Sequence, residues 1–458
     1  MGTTGFGPVR KPPRRYETRP GNTGSEEAVG IGQRPRLKSG IRKMKRQRPA
    51  RSGGFLSLIV TIGAVFLSSG CDSADPGQVH HPSFSRTDSA GITILTTPAE
   101  DALASLGWAV DSVPDVVIGS GEVESDQLYR VQGVQGFDDG RMVVVDGGSR
   151  QLRFFDAQGR LTGRVGRKGE GPGEFEDPIL VELIGLDSLL VWDRYLRRFQ
   201  YFSEDGRFSR TLVLTDRWPA GGRPPQGAVG GRMLVDERES SWLVPAPQQT
   251  RGPKETGVNL MWYDPASGSR VPIAAYTVTR DFIFIGPGRP PILDHIPFTV
   301  FPAAAVTASG GFLTDGKSFE IRDYDFTGEL RRILRINLPG RPVSEAMAEE
   351  WLESESSGQP PGTSVRDQIL RSMPLPDTLP AFESLLTDEM GFVWAKIYDW
   401  DTDNPQRWVV FDHEGPALGT IETPPGLEVG WVGPDAIIGV CKDEFDVEHV
   451  CRYRLTRR

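Results

Sequence analysis

The sequence predicts an all-β protein assembled from repeated antiparallel sheets, and three observations support this fold class. A strand–turn–strand pattern recurs along the 458 residues. The strands are short and rich in Val, Phe, Tyr and Trp, and 54 glycines with 37 prolines supply many turns. No segment with helical periodicity alternates with the strands, so the sequence disfavours a parallel α/β sheet.

The repeat is clearest in two segments that align without a gap at an offset of 47 residues, Met142–Leu161 and Leu189–Phe208. Four aligned pairs carry it: Asp146 with Asp193, Arg150 with Arg197, Phe155 with Phe202, and Gly159 with Gly206. A third copy has Asp315 and Gly328, which are 13 residues apart, the same separation as in the first copy. Weaker copies contain Trp262–Gly268, Trp408–Gly415 and Val450–Leu455.

The second turn of several copies reads Asp-x-x-Gly, as in Asp156–Gly159 and Asp412–Gly415. The aspartate side chain caps such a turn, and the glycine adopts a positive φ that other residues resist. The copies recur every 47 to 87 residues, with about four strands each, which favours propeller blades over sandwich hairpins. The repeats therefore predict a six-bladed β-propeller over residues 90–457, with four-stranded antiparallel blades.

One motif adds a family resemblance. Gly163–Phe175 reads GRVGRKGEGPGEF and follows a V-V-D…F-F-D-x-x-G-R unit. This combination resembles the NHL-type six-bladed β-propellers of bacterial lipoproteins and secreted proteins. The resemblance covers roughly residues 90–457, and it implies the fold but no particular ligand.

Closure of a propeller requires an outermost strand for the last blade, because a bare sheet edge invites aggregation. The last copy stops at Leu455 without such a strand. Near the start of the same region, Gly91–Leu95 has the composition of a strand and no hairpin partner of its own. We therefore predict that this N-terminal strand closes the last blade.

An export signal precedes the repeats. Phe55–Gly70 contains 16 uncharged residues, too short for a comfortable membrane-spanning helix, and Lys45–Arg48 forms a basic segment before it. Leu67–Cys71 resembles the bacterial lipobox, although Ser68 occupies the position where leucine is usual. The resemblance implies a signal peptide at residues 44–70 and a lipid on Cys71. A plain membrane anchor with an incidental cysteine is the alternative.

The ends of this signal define two further segments. Residues 1–43 are rich in Pro, Gly and Arg and cannot form a core, so they are either an artefact before a true start at Met44 or a genuine basic leader. Residues 71–89 are predicted to be a flexible tether. We expect an exported chain, lipid-anchored to a bacterial membrane and facing the periplasm or the cell exterior. Asp72 leaves the choice between inner and outer membrane open.

The charge is divided along the chain. Residues 1–54 carry a net charge of +11, whereas the chain from Cys71 onward carries −20. Nucleic-acid binding needs clustered positive charge on the folded domain, so this distribution excludes a nucleic-acid partner. The acidic surface of the domain is typical of a solubility device.

A helical insertion is predicted at residues 341–377. Val343, Met347 and Trp351 fall on one helical stripe, and Ser344 is available as an N-cap. A second short helix is predicted from Thr363 to Arg371. The pair is either a lid over the central channel, a surface for a partner, or simple packing over an exposed flank.

The segment Lys442–His449 has four carboxylates and one histidine, which could bind a hard cation such as calcium. It does not have the spacing of an EF-hand, and solvated charge is ordinary at a hairpin turn, so we predict no metal site. Cys441 and Cys451 flank this turn on adjacent strands. A disulfide between them is favoured over two free thiols, because the predicted compartment is oxidising.

Two other candidates have structural explanations. The run Gly166–Gly173 does not have the Lys-Ser/Thr ending of a phosphate-binding loop, so it is interpreted as an inter-blade loop. Asp146, Asp193 and Asp315 could attract a cation at one face of the propeller. Their recurrence in separate copies favours a structural role instead, in which each aspartate accepts hydrogen bonds from backbone amides.

The catalytic inventory is small. The sequence has five histidines and neither a zinc-binding H-E-x-x-H nor a G-x-S-x-G motif, so we predict no catalytic residues and no cofactor. A non-enzymatic binding module for a protein, glycan or small ligand is the favoured function. The alternative is a metal-dependent hydrolase or lactonase with its site in the propeller channel, built from residues scattered through the sequence.

Overall fold

The computed structural model describes residues 82–120, 127–184, 188–214, 227–229, 232–238, 251–264, 267–284, 292–355, 365–401 and 404–457. The chain divides into two compact units, Met1–Ser69 and Gly70–Arg458, and the first unit lies outside the described residues. The lipid-attachment candidate Cys71 lies outside them as well. Within the described ranges, no helix has the length and apolarity needed to cross a membrane.

The second unit is mostly β-structure. Its first elements are β1 (Ser85–Ser89), β2 (Ile92–Pro98), the helix α1 (Ala99–Ala102), β3 (Ala109–Val110) and β4 (Val116–Ile118). Sheet 1 contains β5 (Val131–Gly136), β6 (Met142–Asp146), β7 (Gln151–Phe155) and β8 (Leu161–Val165). Sheet 2 contains β9 (Pro178–Ile184), β10 (Ser188–Asp193), β11 (Arg198–Ser203) and β12 (Phe208–Val213).

The remaining sheets follow in chain order. Sheet 3 contains β13 (Gly227–Val229), β14 (Arg232–Arg238), β15 (Arg251–Asp264), β16 (Ser269–Phe284) and β17 (Ile292–His295). Sheet 4 contains β18 (Ala303–Thr307), β19 (Gly310–Thr314), β20 (Glu320–Tyr324) and β21 (Leu330–Asn337). The helices α2 (Glu345–Glu355) and α3 (Val365–Ser372) come next. Sheet 5 contains β22 (Phe382–Thr387), β23 (Val393–Ile397), β24 (Gln406–Phe411) and β25 (Ala417–Thr423), and sheet 6 contains β26 (Glu428–Val432), β27 (Ala436–Lys442) and β28 (Glu448–Thr456).

Burial along the strands shows why these segments form two-sided sheets. In both β6 and β10, the four apolar residues before the terminal aspartate (Asp146 or Asp193) are all buried, so successive apolar side chains are covered on both faces. An antiparallel sheet with one wet face would instead alternate between buried and exposed positions. The outermost strand β8 does alternate, and β12 is mostly exposed. Sheets 1 and 2 are therefore covered on both faces near their inner strands and open to solvent at their outer edges.

A hydrophobic cluster lies between each pair of consecutive sheets. The cluster between sheets 1 and 2 includes Val143 and Val191, and the one between sheets 5 and 6 includes Trp408 and Tyr453. Comparable clusters join sheets 2 and 3, 3 and 4, and 4 and 5. A further cluster joins sheet 6 to sheet 1 and contains Ile438 of β27. The first strands also meet, since β5 contacts β9, β18 contacts β22, and β26 contacts β5. This arrangement is a β-propeller, as the repeats predicted.

The prediction for the closing strand is wrong. Gly91–Leu95 has a hairpin partner, β1, and β2 pairs in parallel with β21 at the outer edge of sheet 4, with Leu95 opposite Leu334. The strand that lies beside β28 is β4, which pairs Ile118 with Val450, while β3 pairs Val110 with Leu455. Both segments are short and β-branched, so composition alone does not distinguish them. Which of the two segments lies beside β28 depends on the neighbouring sheets that each segment reaches and covers.

Strand counts also differ from the predicted four per sheet. Sheets 1, 2 and 5 have four strands, whereas sheet 3 has five and sheet 4 has six because β2 and β1 extend it. In sheet 3, β15 and β16 form a long hairpin of 14 and 16 residues. The turn motifs in the sequence do not predict these additional or longer strands, because the strands come from other parts of the chain or from lengthened hairpins.

The predicted helices are present, and Ser344 caps the first one by accepting a hydrogen bond from the Met347 amide at 3.2 Å. Their apolar residues pack on the long hairpin of sheet 3. Ile369 and Leu370 of α3 lie in one cluster with Phe282, and Trp351 of α2 packs against it. Among the alternatives for this insertion, the contacts support coverage of an exposed flank.

Substitution in β4 tests its role beside β28. Ile118 is 3% exposed in the cluster between sheets 6 and 1, whereas the neighbouring Val117 is 39% exposed on the opposite face of the strand. We expect Ile118→Ala to lower the free energy of unfolding by about 2–4 kcal/mol through cavity formation. The matched control Val117→Ala should change it by less than about 1 kcal/mol. Equal effects in denaturant titrations would contradict the assigned pairing.

Candidate binding site in the central cavity

A cavity of about 960 Å³ lies among the inner strands of sheets 1, 2, 4, 5 and 6. Its wall includes the aliphatic residues Val134, Val181, Val306 and Leu385 together with polar residues such as Glu182. Gln135 is also part of the wall and is 8% exposed. Its side-chain amide donates to the Gly136 carbonyl at 2.8 Å and its oxygen accepts from the Leu183 amide at 3.2 Å, so it ties sheet 1 to sheet 2.

Most of the charged residues that line this cavity lie at one end of it, in the β5–β6, β11–β12 and β22–β23 turns, whereas Glu182 lies within β9. We call this end the cavity mouth, and it comprises Asp138, Asp139, Arg141, Glu204, Glu389 and Trp431. Arg141 pairs with Asp139 at 2.6 Å and with Glu204 at 2.9 Å, which joins the β5–β6 turn to the β11–β12 turn. Because Arg141 balances two carboxylates, Asp138 and Glu389 are the acidic groups of the mouth outside this ion-pair network.

Trp431 connects three sheets at the mouth. Its indole Nε1 donates to Glu389 Oε1 at 3.1 Å, and the Glu389 amide donates to the Val432 carbonyl at 3.3 Å. The indole ring lies over Gly136 of sheet 1, where a Cβ would come within 2.7 Å of the ring. Glycine at this position therefore allows the ring to span from sheet 6 to sheet 1 while its N–H reaches sheet 5.

The carboxyl of Glu389 is the most perturbed acid at the mouth. Its pKa is raised from 4.5 to about 7, chiefly by burial and also by the nearby Asp138 and Asp388 carboxylates, against the opposing effect of the Trp431 hydrogen bond.

Asp388, next to Glu389, has a structural role. It is fully buried, pairs with Arg457 at 2.9 Å, and accepts a hydrogen bond from the Trp394 indole at 3.0 Å. It also accepts from the Phe392 amide at 2.8 Å, which shapes the β22–β23 turn. This network holds the turn in place and so positions Glu389 at the mouth.

The cavity does not assemble a metal site from the residues that the structure describes. In these ranges, no group of three or more His, Cys, Asp or Glu side chains is arranged to hold a metal ion. Its wall combines aliphatic and polar side chains, and three of its carboxylates, those of Asp139, Glu204 and Asp388, pair with arginine. The geometry therefore does not favour a metal-dependent hydrolase or lactonase over a binding module.

The recurring aspartates lie at equivalent turns and accept backbone hydrogen bonds. Asp146 accepts from the amides of Gly148 and Ser149 at 3.2 Å and pairs with Arg153 at 2.5 Å. Asp315 accepts from the amides of Lys317 and Ser318 at 2.9 and 3.2 Å. These contacts match the structural role that their recurrence predicted.

The glycine-rich run joins β8 to β9, as expected of an inter-blade loop. Arg198 donates to the carbonyls of Gly171 and Glu174 at 2.9 and 2.7 Å, and Gln200 accepts from the Gly173 amide at 2.7 Å. The loop carbonyls and amides thus bind side chains of sheet 2 and are not directed at a phosphate.

The acidic hairpin between β27 and β28 uses its carboxylates internally. Asp443 accepts from the amides of Phe445 and Val447 at 2.8 and 3.0 Å and lies 3.3 Å from His449 Nε2. Glu448 accepts from the Val131 amide at 2.8 Å and so links sheet 6 to sheet 1. These hydrogen bonds give the segment a structural role.

Cys441 and Cys451, on the same hairpin, form a disulfide in the structure, with their Cα atoms 6.0 Å apart. This distance lies within the usual range for such bonds. The disulfide links β27 to β28, and β28 pairs with β4 on its other side.

Sequence reasoning did not identify the residues of the cavity mouth. Arg141, Glu389 and Trp431 lie in three different sheets and come from segments 42 or more residues apart. The signal that the sequence offered was their position, since each of these residues lies at the end of the first strand of its sheet or in the turn after that strand. Without the ring geometry, such residues are indistinguishable from ordinary charged turn residues.

The sequence matches no family model and no curated protein. Among solved structures, a Bacteroides fragilis protein assigned as exported is 11% identical, with 80% of this chain and 99% of that chain covered and a TM-score of 0.41. A DUF4221 family member from Bacteroides vulgatus is 10% identical, with coverages of 77% and 99% and a TM-score of 0.42. A streptogramin B lyase is 9% identical, with coverages of 77% and 98% and a TM-score of 0.35. Similarity at this level extends to neither ligand nor activity.

The turn aspartates give a direct stability test at Asp193. This buried carboxylate accepts from the amides of Glu176, Asp177 and Leu196 at 2.8, 3.2 and 3.1 Å. Asp193→Ala leaves these donors without their acceptor and should lower the free energy of unfolding by about 2–4 kcal/mol. Asp156→Ala, at a partly exposed Asp-x-x-Gly turn, is the control and should cost about 1 kcal/mol in the same denaturant series. A loss at Asp193 no larger than the control's would exclude this role.

Proposed function

We propose that the mature chain is an exported, lipid-anchored, six-bladed β-propeller of NHL type that binds a ligand in its central cavity. The observation that carries the binding role is the cavity itself, whose volume of about 960 Å³ falls within the range of small-molecule pockets. The aliphatic side chains of the wall could bury the apolar parts of a ligand, and the polar groups of the wall and mouth could orient it, as polar groups do in such pockets.

The six-blade count is supported by the contacts between sheets. Each of the six sheets among the described residues shares a hydrophobic cluster with the next, and the cluster with Ile438 and Val144 joins the last sheet to the first. Sheet 6 is completed by β4, so a strand from near the start of the domain lies beside the last strand of the chain.

The ligand class that fits best is a glycan or a polar segment of a protein. Carboxylates and the Gln135 amide provide hydrogen-bond acceptors and donors for hydroxyl or amide groups, and Trp431 provides an aromatic surface at the mouth. The net charge of −20 from Cys71 onward makes an acidic nucleic-acid ligand unfavourable.

A steric block of the cavity tests the binding role. We expect a neutral oligosaccharide or peptide from a screening panel to raise the melting temperature of the protein, since a ligand that binds only the folded state stabilises it. Val306→Phe places a larger side chain in the wall of the cavity, so it should block the ligand and abolish this increase in melting temperature. The same change at Val213, which is 54% exposed on the outer strand β12, is the matched control and should leave the shift intact. A ligand whose shift persists in Val306→Phe binds elsewhere and contradicts a cavity site.

Export and lipid anchoring are supported by the apolar segment Phe55–Gly70 and the lipobox-like Leu67–Cys71, and the disulfide of sheet 6 is a bond typical of oxidising compartments. Acyl chains on Cys71 would hold the protein stably at a membrane, because two or more chains give effectively permanent attachment.

Replacement of the cysteine tests the anchor. Cys71→Ser should move the protein from the membrane fraction to the soluble fraction and remove the lipid mass from the N-terminal peptide. Cys441→Ser, which removes a cysteine from the folded domain, should leave the protein in the membrane fraction. A Cys71→Ser protein that stays in the membrane with residues 55–70 intact would show a plain apolar anchor instead.

A further inference from the structure

The propeller has a second face, opposite the cavity mouth. We call it the aspartate-turn face, because it contains the turns of the recurring aspartates Asp146, Asp193 and Asp315. The Gly148 amide donates to the Tyr129 carbonyl at 2.7 Å, which places the start of β5 at this face. The Arg194 amide donates to the Asp177 carbonyl at 3.0 Å and places the start of β9 there too. The mouth includes the turn after β5, so it lies at the other end of that strand.

On sheets 1 and 2, this face presents two tyrosines beside a cluster of unbalanced positive charge. Tyr129 and Tyr195 are 71% and 75% exposed. Their sequence neighbours Arg130 and Arg194 both pair with the single carboxylate of Asp177, at 3.4 and 2.6 Å. The two arginine side chains are 47% and 55% exposed, whereas that of Asp177 is 18% exposed, so the outward charge is positive. We call these five residues the arginine–tyrosine patch.

The helical insertion begins and ends at the same face and carries the opposite charge. The Ala381 amide, just after the insertion, donates to the Gly316 carbonyl of the β19–β20 turn at 2.7 Å. On α2, Glu345, Glu349 and Glu353 are exposed and recur every fourth residue, so they lie on one stripe of the helix. We call these three glutamates the acidic stripe.

Nothing within α2 balances the acidic stripe. The helix contains neither lysine nor arginine, and none of its three stripe carboxylates forms an ion pair with another residue that the structure describes. Like charges four residues apart destabilise a helix, so a cationic surface placed against the stripe would relieve this repulsion. The same chain presents such a surface in the arginine–tyrosine patch.

We propose that the protein forms a two-fold symmetric dimer through its aspartate-turn face, in which the acidic stripe of each copy binds the arginine–tyrosine patch of the other. The patch lies on sheets 1 and 2, and the stripe lies on the insertion between sheets 4 and 5. A two-fold axis between two facing copies brings each stripe over the partner's patch, so both contacts form together and the assembly is closed.

Charge favours a second copy in this orientation. The chain from Cys71 onward carries a net charge of −20, so most ways of bringing two copies together place acidic surfaces against each other. The proposed orientation instead places positive charge against negative charge twice. Tyrosine and arginine are also the residues that protein interfaces favour, because they combine apolar contact area with hydrogen bonding. The dimer goes beyond the proposed ligand binding and leaves the cavity mouth accessible on the opposite face.

Sedimentation velocity of the purified full chain tests the dimer. We expect a monomer–dimer equilibrium with a dissociation constant below about 100 μM, as in transient complexes between soluble proteins. A chain that stays monomeric up to that concentration would overturn the proposal and leave the patch to some other acidic partner. The measurement needs no ligand, so its outcome is independent of whether the cavity binds one.

Exchange of charge identifies the contact. Glu349→Lys combined with Glu353→Lys should raise the dissociation constant at least about ten-fold, because it places positive charge against the patch. Arg194→Glu should have a similar effect in the unaltered chain. Added to the double lysine variant, however, Arg194→Glu should lower the dissociation constant about ten-fold, since the stripe and the patch have then exchanged charge. An effect of Arg194→Glu with the same sign in both backgrounds would refute contact between stripe and patch.

Two further variants separate this contact from general effects of charge and folding. Tyr195→Ala changes no charge and should raise the dissociation constant about ten-fold, with little change in melting temperature. Arg207→Glu makes the same charge change as Arg194→Glu, but at an exposed arginine of the β11–β12 turn, on the face of the cavity mouth. It should leave the dissociation constant unchanged. A dimer weakened equally by Arg207→Glu, or unaffected by Tyr195→Ala, would contradict the proposed interface.

Discussion

The structure depends on one constraint: every sheet must cover both of its apolar faces with a neighbour. A sheet such as sheet 1, with β6 buried at all five positions, has no face that it can turn to water. In a linear stack, the first and last sheets would each keep one bare face. Here the Ile438 and Val450 side chains of sheet 6 pack against Met142 and Val144 of sheet 1, which removes both bare faces at once. Burial at this junction therefore covers the faces of sheets 1 and 6 in the same way as burial between consecutive sheets covers the others.

The same constraint explains how polar groups are distributed. Turns at the ends of buried strands leave amides that solvent cannot satisfy, and each must find an acceptor. Asp146 and Asp193 provide that acceptor from fully buried positions, and Arg198 does the converse by donating to loop carbonyls between sheets 1 and 2. In the sequence these residues resemble a charged binding site, but in the structure their charged groups form hydrogen bonds with the backbone. The charges at the cavity mouth differ because they lie where the inner strands end and a cavity begins.

Features that are caused by residues close in sequence were predicted, whereas features that depend on contacts between distant segments were not. The Asp146 and Asp193 turns were identified correctly, because the cause of each is local and recurs with the repeat. The strand Gly91–Leu95 was assigned to the wrong sheet, although its strand character was correct. The cavity mouth was not found, because Glu389 and Trp431 acquire their environment only when sheets 5 and 6 meet.

The sequence by itself determined the all-β class, the propeller repeat, the turn aspartates and the helical insertion, since each depends on residue spacing within a few dozen positions. It also contains the apolar segment before Cys71 from which export is proposed. Only the tertiary structure decided which strand lies beside β28, how many strands each sheet contains and which carboxyl has a raised pKa. The physical reason is that burial depends on neighbours that the folded sheets bring together, and not on neighbours along the chain. Burial in turn decides which strand edges pair and how much free energy it costs to ionise a carboxyl.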